Sequence, residues 1–144
     1  MNNENKIKLF LVDDDALFLK SLEILFLENA DFIVETYSTG ELCVANLPSN
    51  PDVIILDYRL DGIISTAMDG LETLDRIKEI NNDIPVIMLS SQDKIEVAVN
   101  CLHHKALDYV VKSETAFFRM QQIISGIFKY QKMEKELNWY MDRM

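Results

Sequence analysis

The chain is poor in the residues that staple a fold, cradle phosphates or bind polyanions. Only two of its 144 residues are cysteine, Cys43 and Cys101. They lie far apart in no ligand spacing, which argues against a disulfide scaffold and a structural zinc site. They read instead as small buried apolar residues. There are four glycines, and no glycine-rich loop follows the first apolar run, so a nucleotide or flavin phosphate has no cradle there. Lys and Arg number 14 against 24 Asp and Glu, a net charge of −10. That deficit of positive charge excludes direct nucleic-acid binding by this domain, because duplex binding rests on cations neutralising phosphates. It equally disfavours an anionic membrane surface. No apolar stretch approaches the ~18 residues of a membrane span. The first residues, Met-Asn-Asn-Glu-Asn-Lys, lack the basic-then-apolar layout of a leader peptide. A cytoplasmic domain is therefore expected. Internal repeats and low-complexity tracts are also lacking.

What is there is ordinary globular material, 49% apolar and 26% charged, in a length that suits one domain with a sizeable core. Short runs rich in β-branched and aromatic residues recur at Ile7–Val12, Phe32–Tyr37, Val53–Leu56, Val86–Leu89 and Tyr109–Val111. Four are nearly continuous, as expected of strands buried on both faces of a parallel sheet. Helical spacing fills the gaps: Phe18, Leu22, Leu25 and Phe26; a shorter helix at Thr39–Leu47, stopped by Pro48 and Pro51; Leu71, Leu74 and Ile77; Val97, Ala98, Cys101 and Leu102. The last helix is expected from about Glu114, with Phe117, Met120, Ile124, Ile127 and Phe128 on its stripe. The order is (βα)5, which implies a parallel sheet covered by helices on both sides.

In such sheets ligands bind at the carboxyl ends of the strands. The first run ends in Asp13-Asp14-Asp15, the third in Asp57, the fourth in Ser90-Ser91 and the fifth in Lys112. Several carboxylates, a hydroxyl and an ammonium thus converge on one sheet edge. Clustered carboxylates repel, and a hard divalent cation such as Mg²⁺, which takes one or two carboxylates, waters and a phosphate oxygen, removes the conflict. Lys112 and Ser90 supply the positive charge and hydroxyl donor a phosphoryl group needs. The chemistry inferred is phosphoryl transfer onto a carboxylate, with Asp57 as candidate nucleophile. Asp15, just before Ala16, reads as a helix cap.

The segments Leu-Phe-Leu-Val-Asp-Asp-Asp (9–15), Val-Ile-Ile-Leu-Asp-Tyr-Arg-Leu (53–60), Pro-Val-Ile-Met-Leu-Ser-Ser (85–91) and Ala-Leu-Asp-Tyr-Val-Val-Lys (106–112) resemble the receiver domain of two-component response regulators. The resemblance covers about residues 6–128. It implies a flavodoxin-like, doubly wound (βα)5 sheet of strand order 2-1-3-4-5 with an extended C-terminal helix. By the same resemblance, Asp57 accepts a phosphoryl group from a sensor histidine kinase or a histidine phosphotransfer protein. Asp14 binds Mg²⁺ directly, Asp13 mainly through water, and the backbone carbonyl of Arg59 completes the protein ligands together with Asp57. Lys112 pairs with the phosphoryl oxygens. Ser90 and Tyr109 form the switch, the ring moving from exposed to buried on phosphorylation. Arg59 and Gln92 hold positions that tune acyl-phosphate hydrolysis. The output face is the fourth helix, fifth strand and fifth helix.

The pattern is broken in places. Position 61 is Asp where the family usually has Pro, and the loop before Asp69-Gly70 is about five residues longer. Ser113 replaces the Pro after the motif lysine, so a trans Lys112–Ser113 bond is expected, since a non-proline cis bond costs about 2.5–4 kcal/mol. Lys105 sits where a glycine often ends the helix. His103 and His104 are adjacent and face different ways on a helix, a solvated helix end rather than a metal pair. Leu17, Ile24 and Leu27 lie off the main stripe of the first helix and are expected to form a partner-facing patch.

Beyond a receiver domain at 1–128, residues 129–144 are expected to be a helical extension or linker. There Tyr130, Met133, Leu137, Tyr140 and Met144 repeat at 3,4,3,4 spacing, a heptad-like stripe. A homodimer through it, or through the fourth-helix to fifth-helix face, is one expectation. Other readings are a degenerate receiver serving as an interaction module, and the N-terminal domain of a transcriptional regulator. A phosphatase using an aspartate nucleophile is disfavoured, because it needs a second Asp where Arg59 stands. The chain is expected to be no metabolic enzyme, assisting only its own phosphorylation and dephosphorylation.

Overall fold

The computed structural model describes residues 6–144; the reading of the extreme N-terminus as no leader falls mostly on residues 1–5, outside it. Five strands alternate with five helices: β1 (Ile7–Val12), α1 (Ala16–Leu27), β2 (Phe32–Tyr37), α2 (Gly40–Ala45), β3 (Val53–Asp57), α3 (Gly70–Ile80), β4 (Val86–Ser90), α4 (Ile95–His103), β5 (Asp108–Val111) and α5 (Ala116–Asp142). The strands pair in parallel in the order β2-β1-β3-β4-β5. The expected flavodoxin-like architecture and strand order are therefore the observed ones.

Strand alternation divides the core in two. Phe10, Val12, Ile54, Leu56, Val86 and Met88 face one side, against Cys43, Leu74, Ile77 and Cys101 from α2, α3 and α4. Leu9, Leu11, Val53, Ile55, Ile87 and Leu89 face the other, against Leu22 and Phe26 of α1 and Met120 and Ile124 of α5. Both central strands β3 and β4 are buried at every residue, whereas the edge strand β2 is only half-buried throughout. That is why the inner runs read as continuous hydrophobic blocks and β2 carries Glu35 and Thr36.

Local departures from the expected elements have local causes. In α1 the inward positions are Leu19, Leu22 and Phe26, while Leu25 is exposed; the expected stripe is rotated by about one residue. The second helix stops at Ala45, and a separate 3₁₀ turn, Leu47–Ser49, holds Pro48. A proline disfavours helical backbone in the residue before it, which breaks the continuous helix expected there. α5 starts at Ala116 rather than near Glu114, after a turn closed from the Ala116 N–H to the Ser113 carbonyl at 3.1 Å. Lys105 adopts a left-handed φ of 75° just after α4, the backbone a glycine would take more cheaply. No cis peptide bond occurs among the described residues, Lys112–Ser113 included. No described helix is long and apolar enough to cross a membrane.

Candidate functional site

Four of the five strands, β1, β3, β4 and β5, deliver polar groups to the same sheet edge. β1 ends at Val12, so Asp13 emerges directly beneath the sheet edge and is 2% exposed. Asp57 is the last residue of β3 and 4% exposed; Ser90 is the last of β4 and also buried. Lys112 follows β5, and its backbone N–H reaches the Ser90 carbonyl at 2.7 Å, which continues the β4–β5 ladder one step past the strand. Asp15 caps α1, its Oδ1 accepting from the Leu17 and Phe18 N–H groups at 3.1 and 3.2 Å. That capping turn leaves Asp13 and Asp14 free to face the edge.

The carboxylates of Asp13, Asp14 and Asp57 lie together, with ligand oxygens all within 4.8 Å of one another. Lys112 Nζ sits 2.9 Å from Asp13 Oδ2 and 3.5 Å from Asp57 Oδ1. It also lies 4.5 Å from the centre of the Phe18 ring, a cation–π contact that holds the ammonium over the edge. Burial pushes the Asp57 carboxyl up, the charge of Asp13 pushes it further, and Lys112 offsets part of this, leaving it raised to about 7. Burial alone would lower Lys112, but its contacts with Asp13 and Asp57 outweigh that and leave it raised. One ammonium against three carboxylates leaves an excess of negative charge.

That excess is the test of whether a cation fits. Asp13 Oδ2 is buried and answered only by the Lys112 ammonium at 2.9 Å. A buried carboxylate oxygen with an unanswered lone pair is costly, and three hard oxygen donors converge beside it. The three converging carboxylates, with one ammonium against them, suit a small divalent cation. Above them opens a cleft of about 210 Å³ lined by Asp57, Arg59, Gly62, Ser90, Gln92 and Lys112 among others.

The remaining expected residues fall around this cleft. The Ser90 hydroxyl accepts from the Gln92 N–H at 3.0 Å. Tyr109 is buried, and its hydroxyl donates to the Gln92 carbonyl. The tyrosine, expected to be exposed before phosphorylation, is thus already inward here and tied to the loop that holds Ser90. His104 Nδ1–H donates to Asp75 Oδ1 at 2.8 Å, a pairing away from the cleft.

Three contributors were not singled out by the sequence. Phe18 read only as core, yet it shields Lys112; its place one turn past Asp15 was the available signal. Gly62, in the lengthened loop, donates its N–H to Asp14 Oδ2 at 3.1 Å. Gly70 opens α3 so close to β3 that a Cβ there would lie 2.5 Å from the carbonyl oxygens of both Asp57 and Tyr58. The helix must approach the strand end this nearly because the Gly70 N–H bonds the Tyr58 carbonyl at 3.0 Å. The loop itself anchors at Met68, whose N–H reaches Glu41 Oε2 at 3.0 Å, and at Asp69, which caps α3. It leaves Ile63 and Ile64 exposed beside the cleft.

Known proteins share this arrangement. Residues 9–125 match the model of the response regulator receiver domain. The transcriptional regulatory protein QseB of Haemophilus influenzae is 32% identical over 129 residues, covering 86% of this chain and 55% of that protein. The DNA-binding transcriptional regulator NtrC of Salmonella typhimurium is 30% identical, covering 90% of this chain and 26% of its own length. Among solved structures, a chain of the CheX–CheY–BeF₃–Mg²⁺ complex from Borrelia burgdorferi superposes with a TM-score of 0.72 at 27% identity, over 84% of this chain and 89% of that one. The chain spans between 17% and 55% of the length of these and the other leading curated relatives. Some of those relatives are protein-glutamate methylesterases, but the part they share with this chain is the receiver. With five parallel strands in the order 2-1-3-4-5 and an acidic cluster at their carboxyl edge, the chain belongs to the response regulator receiver family, the signalling domains of two-component systems.

Proposed function

We propose that this chain is a phosphorylation-driven switch in which Asp57 accepts a phosphoryl group from a phosphohistidine of a sensor histidine kinase or a histidine phosphotransfer protein. The observation that carries the reading is Lys112 Nζ lying 2.9 Å from Asp13 and 3.5 Å from Asp57, at the mouth of a three-carboxylate cluster. An Asp57 carboxylate oxygen attacks phosphorus, the P–N bond to the donor imidazole breaks, and the electron pair returns to that nitrogen. The product is an acyl phosphate. Asp13, Asp14, Asp57 and the Arg59 carbonyl would hold Mg²⁺, which supplies positive charge to the phosphoryl oxygens. Lys112 supplies a second positive charge, and Ser90 a hydroxyl donor.

The switch follows from what those residues already hold. Ser90 accepts from the Gln92 N–H, and the Gln92 carbonyl takes the Tyr109 hydroxyl. A new acceptor at Asp57 draws the Ser90 hydroxyl toward it and shifts this loop and the α4–β5–α5 surface. Arg59 and Gln92 border the cleft and would tune how long the acyl phosphate lasts. Leu17, Ile24 and Leu27 are all exposed on α1, Leu17 at 84%, and together they offer an apolar patch beside the site for the phosphodonor. Residues 1–128 are the switch in this reading, and 129–144 a helical extension.

Incubation with Mg²⁺ and a small acyl-phosphate donor, followed by intact-mass measurement, tests the reading. One phosphoryl adduct is expected, absent in Asp57→Asn and in chelator. An unmodified mass with every donor would make the domain a non-phosphorylated interaction module instead.

A further inference from the structure

The second half of α5 gathers large exposed apolar side chains along one helix. Tyr130, Met133, Leu137 and Tyr140 are between 58% and 70% exposed, on a helix that continues unbroken to Asp142. The domain-facing seam of α5 is Ala116, Met120 and Ile124. At about 100° per residue, the apolar stripe lies about 120° around the helix from that seam. The domain of the same chain therefore cannot cover it.

The 3,4,3,4 spacing places Tyr130, Leu137 and Met144 at positions a of a heptad and Met133 and Tyr140 at positions d. Extended backward, the frame puts Ile123 at a and Gly126 at d. A glycine in a helix interior is destabilising by about 1 kcal/mol relative to alanine, and a Cβ at Gly126 would meet nothing within 4 Å. Ile123 packs on its own domain, and a d position takes a larger apolar side chain than glycine, so the free stripe begins at Tyr130.

The flanking charges choose the partner and its direction. Lys129 is at g and Glu134 at e. In a parallel pair, g of one helix meets the e five residues on in the other. Lys129 then faces Glu134 of the second copy, twice by symmetry, and no like-charged g–e pair arises. In an antiparallel pair with the stripes fully overlapped, Lys129 meets Arg143, Glu134 meets Glu134, and Glu136 meets Glu136, all repulsive. We infer that the exposed stripe of α5 is a self-association surface on which a second copy of this chain packs in parallel, in register, through Tyr130, Met133, Leu137 and Tyr140. The stripe spans about two heptads, fewer than a stable isolated coiled coil needs, so the dimer forms and dissociates with concentration. This inference does not depend on phosphoryl acceptance by Asp57.

Sedimentation equilibrium of the unphosphorylated full chain, up to millimolar concentration, tests it. A monomer–dimer equilibrium is expected, with Leu137→Asp monomeric throughout and Asp57→Asn unchanged. Lys129→Glu should weaken the dimer by about tenfold, since two attractive pairs become repulsive, and adding Glu134→Lys should restore it. Positions 129, 134 and 137 are exposed, and unchanged circular dichroism controls for folding. A parent chain that stays monomeric overturns the proposal, as does a dimer indifferent to Leu137→Asp. Strengthening by Lys129→Glu, which removes the Lys129–Arg143 repulsion, would overturn the parallel arrangement.

Discussion

The carboxyl edge of the sheet and the far half of α5 break the same rule in opposite directions. At the edge, charge is buried: Asp13 and Asp57 are almost wholly covered. Along the helix, apolar surface is exposed, Tyr130, Met133, Leu137 and Tyr140 among it. Burying carboxylates costs free energy that only a compensating cation recovers. Exposing a stripe of large apolar side chains forgoes free energy that only a covering surface recovers. In the readings proposed above, both regions are completed from outside, one by an ion and a phosphoryl group, the other by another helix. The difference lies in how far each is wired into the fold. The edge sits on four strands and two helix starts, whereas the stripe rests on one helix alone.

Stability measurements can break that contrast. The largest effect is expected from Asp57→Asn without divalent metal. Asp57 is raised to about 7 from 3.8 in an unperturbed carboxyl, so the folded state holds more protons than the unfolded state between those values. Stability therefore falls as pH rises through that window and levels off above it. Urea unfolding in chelator from pH 4 to 8 should show this decline, and Asp57→Asn should flatten it and gain a few kcal/mol at pH 8. A parent profile already flat across the window would mean that the edge is not under electrostatic stress.

A smaller loss is expected from Gly70→Ala. Its Cβ would lie 2.5 Å from two backbone carbonyl oxygens that cannot yield as a flexible side chain can, so overpacking should cost about 1–3 kcal/mol. Chemical denaturation of the two proteins compares them directly, and a variant as stable as the parent would show that α3 can retreat from β3. The smallest effect belongs to the helix: Leu137→Asp, at a concentration where the parent is monomeric, should move domain stability by less than about 0.5 kcal/mol. A large loss there would tie the extension to the domain after all.

The fold was largely legible because a parallel sheet buried on both faces leaves continuous apolar runs in the chain. β3 and β4 read directly, and the groups that follow them, Asp57, Ser90 and Lys112, fall on one edge by topology alone. Helix faces were less legible. In α1, nine of the twelve residues are apolar, so periodicity could not decide between Leu19, which is buried, and Leu25, which is not. Pro48 marked a boundary, but not that a separate turn would follow it.

The chain alone determined which chemical groups this protein owns and their order: three carboxylates, a hydroxyl and an ammonium at strand ends, and a heptad stripe at the far end of the last helix. Those follow from side-chain identity and the periods of strand and helix, which are local. Contacts between residues distant in the chain were decided only by the tertiary structure. Gly62 reaches across 48 positions to Asp14, Phe18 roofs Lys112, and the Tyr109 hydroxyl is already tied to the Gln92 carbonyl. The outward orientation of the α5 stripe belongs there too, because the angle between that stripe and the seam buried on the sheet depends on where the core lies. Periodicity specifies a helix's faces, and only packing chooses which of them meets the core.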